Sequence, residues 1–521
     1  MADRWFVNGE FPGRTLLVRD GRVAAVGASP PAGARVIDLQ GHVVRPGFFD
    51  SHLHLLALGL SLGRVDLAGV SLAEGLAAIG AAARALPPGA WVAGRGWDQG
   101  RLGRYLSRED LDQAAAGRPC LLYRVCGHVA AASSRALELA GITEATPDPA
   151  GGRIDRDLAG RPTGILRETA IGQVAAAMPD PGPAELRLAL ERAIRHVLAC
   201  GITTVRVDDV GAAGGLTAAC DLYRETVGPQ GLPLRVILDV SDRALDELEA
   251  APPAGDDWFR TGAVKIFADG SLGAATAALE EPYADDPGNR GIAITAGEEL
   301  DRLVARVHRS GRQVAIHAIG DRAAANALDA IERAQGADPR PDPRHRLVHC
   351  QVLTASLVRR MAALGVVADI QPVFVATDHH WAGDRLGPRR LDYAYAWRSL
   401  LDAGISLAGG SDAPIEPVNP FFGLHAAVTR QDRAGHPPGG WLPAEKLTVG
   451  KALHLYTQGG PYAAFEEHRK GSLDTGKLAD FVVLPADPAR VDPSALKEML
   501  PLMTVVGGRV AHATGPFPGA A

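Results

Sequence analysis

A rhythm constrains this chain more than any other feature. Eight short apolar or β-branched runs recur in it: VRPGFFDSHLHL at 44–55, GITTVRV from Gly201, LRVILDV from Leu234, AVKIFADG from Ala263, QVAIHAIG from Gln313, RLVHCQV from Arg346, GVVADIQPV from Gly365 and ISLAGGSDAP from Ile405. Amphipathic stretches lie between several of them. In ELRLALERAIRHVLACG, Leu186, Leu190, Ile194, Val197 and Leu198 follow helical spacing and Gly201 closes the helix. ELDRLVARVHRSG plays the same part before the fifth run. Eight strands alternating with helices predict an α/β fold, a (β/α)8 TIM barrel.

Two departures from the rhythm organise the rest. About 145 residues separate the first run from the second, far more than a βαβ unit needs, so an insertion is expected at roughly 60–180. It carries an Ala-rich helical stretch, EGLAAIGAAARAL, and strand-like AWVAG and PCLLYRV. The two chain ends differ again. RTLLVRDGRVAAVG places Asp20-Gly21 between apolar runs, a strong hairpin signal, and GSLDTGKLADFVVLPADP and MTVVGGRVAHATG read as strands joined by turns. Residues 1–46 and 470–521 are expected to form one small sheet domain, with the barrel over 47–469. A length of 521 residues fits a large barrel with accessory parts.

Composition removes several function classes. Lys plus Arg number 54 against 60 Asp plus Glu, a net charge of −6, and no dense basic block could serve a phosphate backbone. No nucleic-acid partner is expected. The five cysteines are scattered without a CxxC pair, which argues against a disulfide framework or a thiolate zinc site. Asp3 and Arg4 stand where a signal peptide needs an apolar run, and no uncharged apolar stretch approaches about 18 residues. A cytoplasmic protein with no membrane partner is expected. Neither a GxGxxG opening a βαβ unit nor a GxSxG nucleophile elbow is present.

The chemistry lies at the strand ends. His52-Leu53-His54 closes the first run, and residues i and i+2 of a strand point to one face, which sets two imidazoles side by side. Lys265 sits inside an apolar strand, where an ammonium is costly unless neutralised or paired. His317 ends VAIHA, His349 ends LVHC, and Asp412 follows SLAGGS. Any one of these residues could be an ordinary core or turn residue. Together they stand at the C-terminal ends of strands one, four, five, six and eight, where barrel enzymes carry their active sites.

Substrate-facing candidates come from the insertion and the late loops: Trp97 in GRGWDQG, His128 in CGHVA, and His379, Trp381 and Arg385 in TDHHWAGDRLG. Trp97 could equally pack the insertion, and His379-His380 could be a solvated pair. Asp269 and Ser271 are placed to orient the loop after the fourth strand, where Gly270 and Gly273 suggest a tight backbone path. Glu168, in GILRETA, is an acid outside the barrel strands and receives no metal role.

The segments VVRPGFFDSHLHL, GRGWDQGRLGRYLSREDLD, GHVAAASSRALELAGI, GILRETA, VKIFADGSLG, VAIHAIGDRA, LVHCQVL and GGSDAPIEPVNPF, in this order, resemble the amidohydrolase 3, YtcJ-like branch of the metal-dependent amidohydrolase superfamily. The resemblance runs nearly end to end. It implies a barrel with a small β-sandwich built from both chain ends and a metal centre at the barrel mouth. His52, His54 and Asp412 would hold one divalent ion, and His317 and His349 a second, with Lys265 bridging as a carbamate. Two zinc ions are the expected cofactors, because imidazole and oxygen donors suit zinc or a similar ion. The reaction so implied is attack of a metal-activated hydroxide on a carbonyl carbon, with Asp412 passing the water proton to the leaving nitrogen. The substrate would be a small molecule with an amide-like C–N bond, such as an N-acyl or N-formyl amine, and the assembly a homodimer. An ester, lactone or cyclic amide offers the same hydroxide a similar carbonyl, and a barrel that binds without catalysis is the reading from a different class. The sequence departs from the family where Cys126 and Ser133 replace an Asp and an Asn around His128.

Overall fold

The computed structural model describes residues 3–124, 128–252 and 255–517, and the chain divides into two compact units, 1–57 with 193–521, and 58–192. The first unit holds the barrel. Its strands are β1 (Phe48–Leu53), β2 (Ile202–Val207), β3 (Arg235–Ser241), β4 (Phe259–Phe267), β5 (Val314–Ala318), β6 (Arg346–His349), β7 (Val367–Ile370) and β8 (Leu407–Gly409). They pair in sequence order, every neighbour parallel. The seam between β8 and β1 is drawn together just past β8, where the Asp412 N–H donates to the His52 carbonyl at 2.8 Å and the His54 N–H to that of Ala413 at 2.8 Å. Every one of the eight runs supplies one barrel strand.

Helices wrap the barrel because their apolar residues recur at helical spacing. In Gly297–Arg309, before β5, Leu300, Leu303, Val304 and Val307 are buried, while Glu298 and Glu299 stand in the first turn and Arg306 and Arg309 in the last.

The run at 44–55 is two strands rather than one. Val43–Pro46 joins a sheet with Phe481–Leu484, Met503–Val506 and Arg509–Ala513, whereas Phe48–Leu53 is β1. The switch falls on Gly47, where a Cβ would lie 2.4 Å from the Thr203 side chain of β2. A second four-stranded sheet, from Arg4–Val7, Leu16–Arg19, Arg22–Val26 and Val36–Asp38, shares a core with the first. Phe6 and Phe481 meet edge to face there, 4.9 Å between ring centres. Asp20 and Gly21 both have positive φ, 49° and 75°, the geometry of the tight hairpin their sequence predicts.

The insertion, Leu58–Arg192, is a six-stranded mixed sheet ordered Gly152–Arg156, Pro162–Glu168, Val129–Ala132, Cys120–Arg124, Val92–Trp97 and Val65–Asp66. Both faces are buried. Leu122 and Ala131 belong to one apolar cluster, and their chain neighbours Leu121 and Ala130 to another, as alternate pointing along a strand requires. Its Ala-rich helix, Leu72–Ala85, starts at a capping box between Ser71 and Glu74. Among the described residues no helix is long and apolar enough to cross a membrane.

Candidate metal centre

The structure brings the strand-end residues His52, His54 and Asp412 together. His52 ends in Nε2, 3.5 Å from Asp412 Oδ1, and His54 Nε2 lies 3.2 Å from the same oxygen. The three donor atoms lie within 4.8 Å of one another. Asp412 Oδ1 is buried and makes no hydrogen bond of good geometry, so a carboxylate oxygen and two imidazole nitrogens face one another at close range. Such a set fits a divalent cation.

The backbone around these atoms is held tightly. The Asp50 carboxylate accepts the N–H groups of both His52 and Ser411, each at 3.1 Å, and so clasps the end of β1 to the segment after β8. At Gly410 a Cβ would lie 2.7 Å from the His52 nitrogen, so only glycine lets the two segments close. Asp412 has φ 58° and His349 φ 81°, left-handed values unusual for residues with side chains.

Lys265, on β4, is fully buried with its Nζ 3.3 Å from His52 Nε2 and 3.9 Å from Asp208 Oδ2. Burial pulls its pKa down, against the opposing pull of Asp208 and Asp412. His317 and His349 stand together, 4.5 Å between ring centres, and His349 lies 5.5 Å from His52 by the same measure. Gln371 Oε1 is 2.7 Å from His349 Nδ1, and the Gly270 carbonyl is 2.9 Å from His317 Nε2. Among the described residues these two histidines form no three-ligand group with another His, Cys, Asp or Glu.

Burial, reinforced by Lys265, pushes the pKa of His52 well below its ordinary value and that of His317 to about 4. Burial and His317 do the same to His349. Imidazoles held neutral keep the lone pairs that a metal needs. His54 goes the other way: burial lowers it, but the Asp412 carboxylate more than compensates.

Beneath the donors lies a buried charge network. Asp239 accepts from Arg206 and Arg346 at 2.8 Å each, and Arg346 also reaches Asp369 and the Ser51 carbonyl. Ser51 Oγ donates to Asp369 Oδ1 at 2.5 Å. This layer supports β1, whose residue 52 follows at once.

Above the donors opens a cavity of about 400 Å³, lined by His52, His54, His317, His349 and Asp412, by Phe267, Leu272, Ile319, Phe374 and Trp381, and by Asp378 and Glu416. Among the candidates outside the strands, Trp381 forms part of its wall, and Ser271 does too. Asp269 accepts three N–H groups, from Ala278, Ile319 and Gly320, and so binds the loop after β4 to the end of β5. At Gly270 a Cβ would lie 2.2 Å from Thr276 Oγ1. Arg385 does not line the cavity: it ties Asp285, at 2.7 Å, to the Gly273 carbonyl, at 3.0 Å. His379 faces back to the Val375 carbonyl, beside His380. Trp97 is wholly buried in the insertion's core and its indole N–H donates to the Leu122 carbonyl at 2.8 Å. His128, also in the insertion, lies 3.0 Å from Glu168, whose φ is 52°. Cys126 lies outside the described residues.

Asp208, Gln371, Asp378 and Glu416 were not among the sequence candidates. Asp208 and Gln371 immediately follow the ends of β2 and β7, so the strand-end rule that singled out His317 and His349 covers them as well.

Comparison with known proteins places these residues in a family. The amidohydrolase family model matches residues 35–512. A putative amidohydrolase YtcJ of Bacillus subtilis is 38% identical over 480 residues, covering 91% of this chain and 90% of that one. An N-substituted formamide deformylase of Arthrobacter pascens is 30% identical over 525 residues, covering 95% and 94%. Among solved structures, an uncharacterized metal-dependent hydrolase from Pyrococcus furiosus superposes with a TM-score of 0.74 at 33% identity, covering 94% of this chain and all of that one.

Proposed function

Because this chain belongs to the amidohydrolase family, we propose that it is a metal-dependent hydrolase of small molecules with an amide-like C–N bond, N-formyl or N-acyl amines first. The observation that carries this reading is the convergence of His52, His54 and the buried Asp412 Oδ1 on the floor of an apolar-walled cavity. The deformylase relative supports the C–N bond.

His52, His54 and Asp412 would hold one ion, for which zinc suits a set of imidazole and carboxylate donors. His317 and His349 offer two ligands for a second and need a third. Lys265 would supply it as a carbamate: burial lowers its pKa and so favours the uncharged amine, whose addition to carbon dioxide releases one proton to solvent and leaves an oxygen donor. The ions supply positive charge that polarises a carbonyl and acidifies a water molecule. The Asp412 carboxylate would take the proton from the attacking water and deliver it to the leaving nitrogen, as a positioned carboxylate can. Phe267, Phe374 and Trp381 hold the substrate body and keep bulk water from it. Trp97, buried in the insertion, has no part in substrate contact.

Assay of N-formyl and N-acyl amines with the metal-loaded protein tests this reading. Release of the free amine, abolished by chelator and restored by zinc, is expected. Hydrolysis of esters or lactones alone would overturn the C–N assignment.

A further inference from the structure

His379, His380 and Asp432 also bring their ligand atoms within 4.8 Å of one another, and none of them belongs to the centre at the barrel mouth. We propose that these three residues form an auxiliary site for an exchangeable divalent transition ion of the zinc class, which pins the segment carrying Trp381.

Two of the three donors are already oriented. His379 Nδ1 lies 3.1 Å from the Val375 carbonyl, which can only accept, so this nitrogen carries the proton and Nε2 presents a lone pair. That arrangement of one ring nitrogen on a backbone carbonyl is the usual support of a metal-binding histidine. Asp432 Oδ1 accepts the N–H groups of Ala434 and His436, both at 2.8 Å, which leaves Oδ2 for another partner. His380 Nε2 is 3.8 Å from that oxygen, too far for a hydrogen bond. Two atoms each about 2 Å from a shared tetrahedral ion lie about 3.3 Å apart, so an inward movement of about half an ångström of the exposed His380 side chain would close the pair on an ion.

Charge argues the same way. The two imidazole rings are 3.8 Å apart at 38°, so protonating both would set two cations face to face. Burial, and then His380, hold the pKa of His379 below its ordinary value. Although burial pushes Asp432 up, the N–H groups of His436 and Ala434 keep its carboxyl below the usual range. His425 is not part of the site, since its nitrogens face the carbonyls of Pro493 and Asp432 at 3.1 Å each. The His380 side chain is 61% exposed, so water completes the coordination and the ion exchanges.

Trp381 follows His380 directly and forms a wall of the catalytic cavity, packed near Gly273, while Asp432 lies just past the helix Pro420–Thr429. An ion shared by His380 and Asp432 therefore fixes the Trp381 segment against the segment after that helix.

Equilibrium dialysis of the full-length protein against zinc, followed by elemental analysis, tests the site. The wild type is expected to hold one ion more per chain than His380→Ala or Asp432→Asn, and His54→Ala is expected to keep that exchangeable ion. Equal zinc in the wild type and both variants would overturn the proposal, as would loss of the exchangeable ion in His54→Ala alone.

Discussion

The Asp412 N–H donates to the His52 carbonyl at 2.8 Å, so the first and last strands of the barrel are joined through the backbones of two residues whose side chains share one site. Closure of the barrel and assembly of the donor set are one structural event. A change that loosens the seam should disturb the chemistry without touching a ligand.

Gly410 provides that change. A methyl group there would meet the His52 nitrogen at 2.7 Å and Asp50 Oδ1 at 3.0 Å. Gly410→Ala is expected to cost about 1–3 kcal/mol by overpacking and to lower the metal content of the purified protein. Wild-type metal content and stability would show that the seam yields easily.

Asp412→Asn retains the shape of the side chain and one oxygen but cannot take up the proton. Its kcat is expected to fall by about 10²–10⁴-fold, the usual worth of a positioned general base, with KM changed far less. A rate within a few-fold of wild type would remove the proton-transfer role.

Arg346 is wholly buried between Asp239 and Asp369. Arg346→Met leaves those carboxylates short of a cation, and breaking a buried pair this way costs about 3–5 kcal/mol. Denaturant titration should show the midpoint falling accordingly; an unchanged midpoint would mean that the carboxylates take up protons at little cost.

Glu416 lines the cavity, and burial raises its pKa from 4.5 to about 7. The folded metal-free protein therefore keeps a proton that the unfolded chain releases. The associated stability is complete below about pH 4.5 and is lost as pH rises through 7. Glu416→Gln has no such proton to lose. Thermal melts of metal-free protein should show the variant gaining on the wild type between pH 5 and pH 8, and a constant difference would contradict the assigned shift.

Much of this was legible in the sequence because barrel strands are local objects. Each of the eight runs carries its own apolar signal, and a histidine that ends one of them is placed at the mouth by topology alone. Gly47 was not legible as a break, since the chain there passes from one sheet to another without any change in composition. The pairing of Arg206 and Arg346 with Asp239 and Asp369 depends on the register among β2, β3, β6 and β7, which no single segment records. Trp97 showed the limit of reading aromatics. An indole in a glycine-rich stretch suits a pocket wall or a core, and the partner that separates the two, the Leu122 carbonyl, lies 25 residues away.

The most direct test is the metal content of protein purified without chelator, compared among the wild type, His54→Ala and Lys265→Ala. The wild type is expected to retain two zinc-class ions per chain at the barrel mouth, with at least one lost in each variant. A wild type free of metal, or a His54→Ala protein with undiminished content, would contradict a metal centre built on His52, His54 and Asp412.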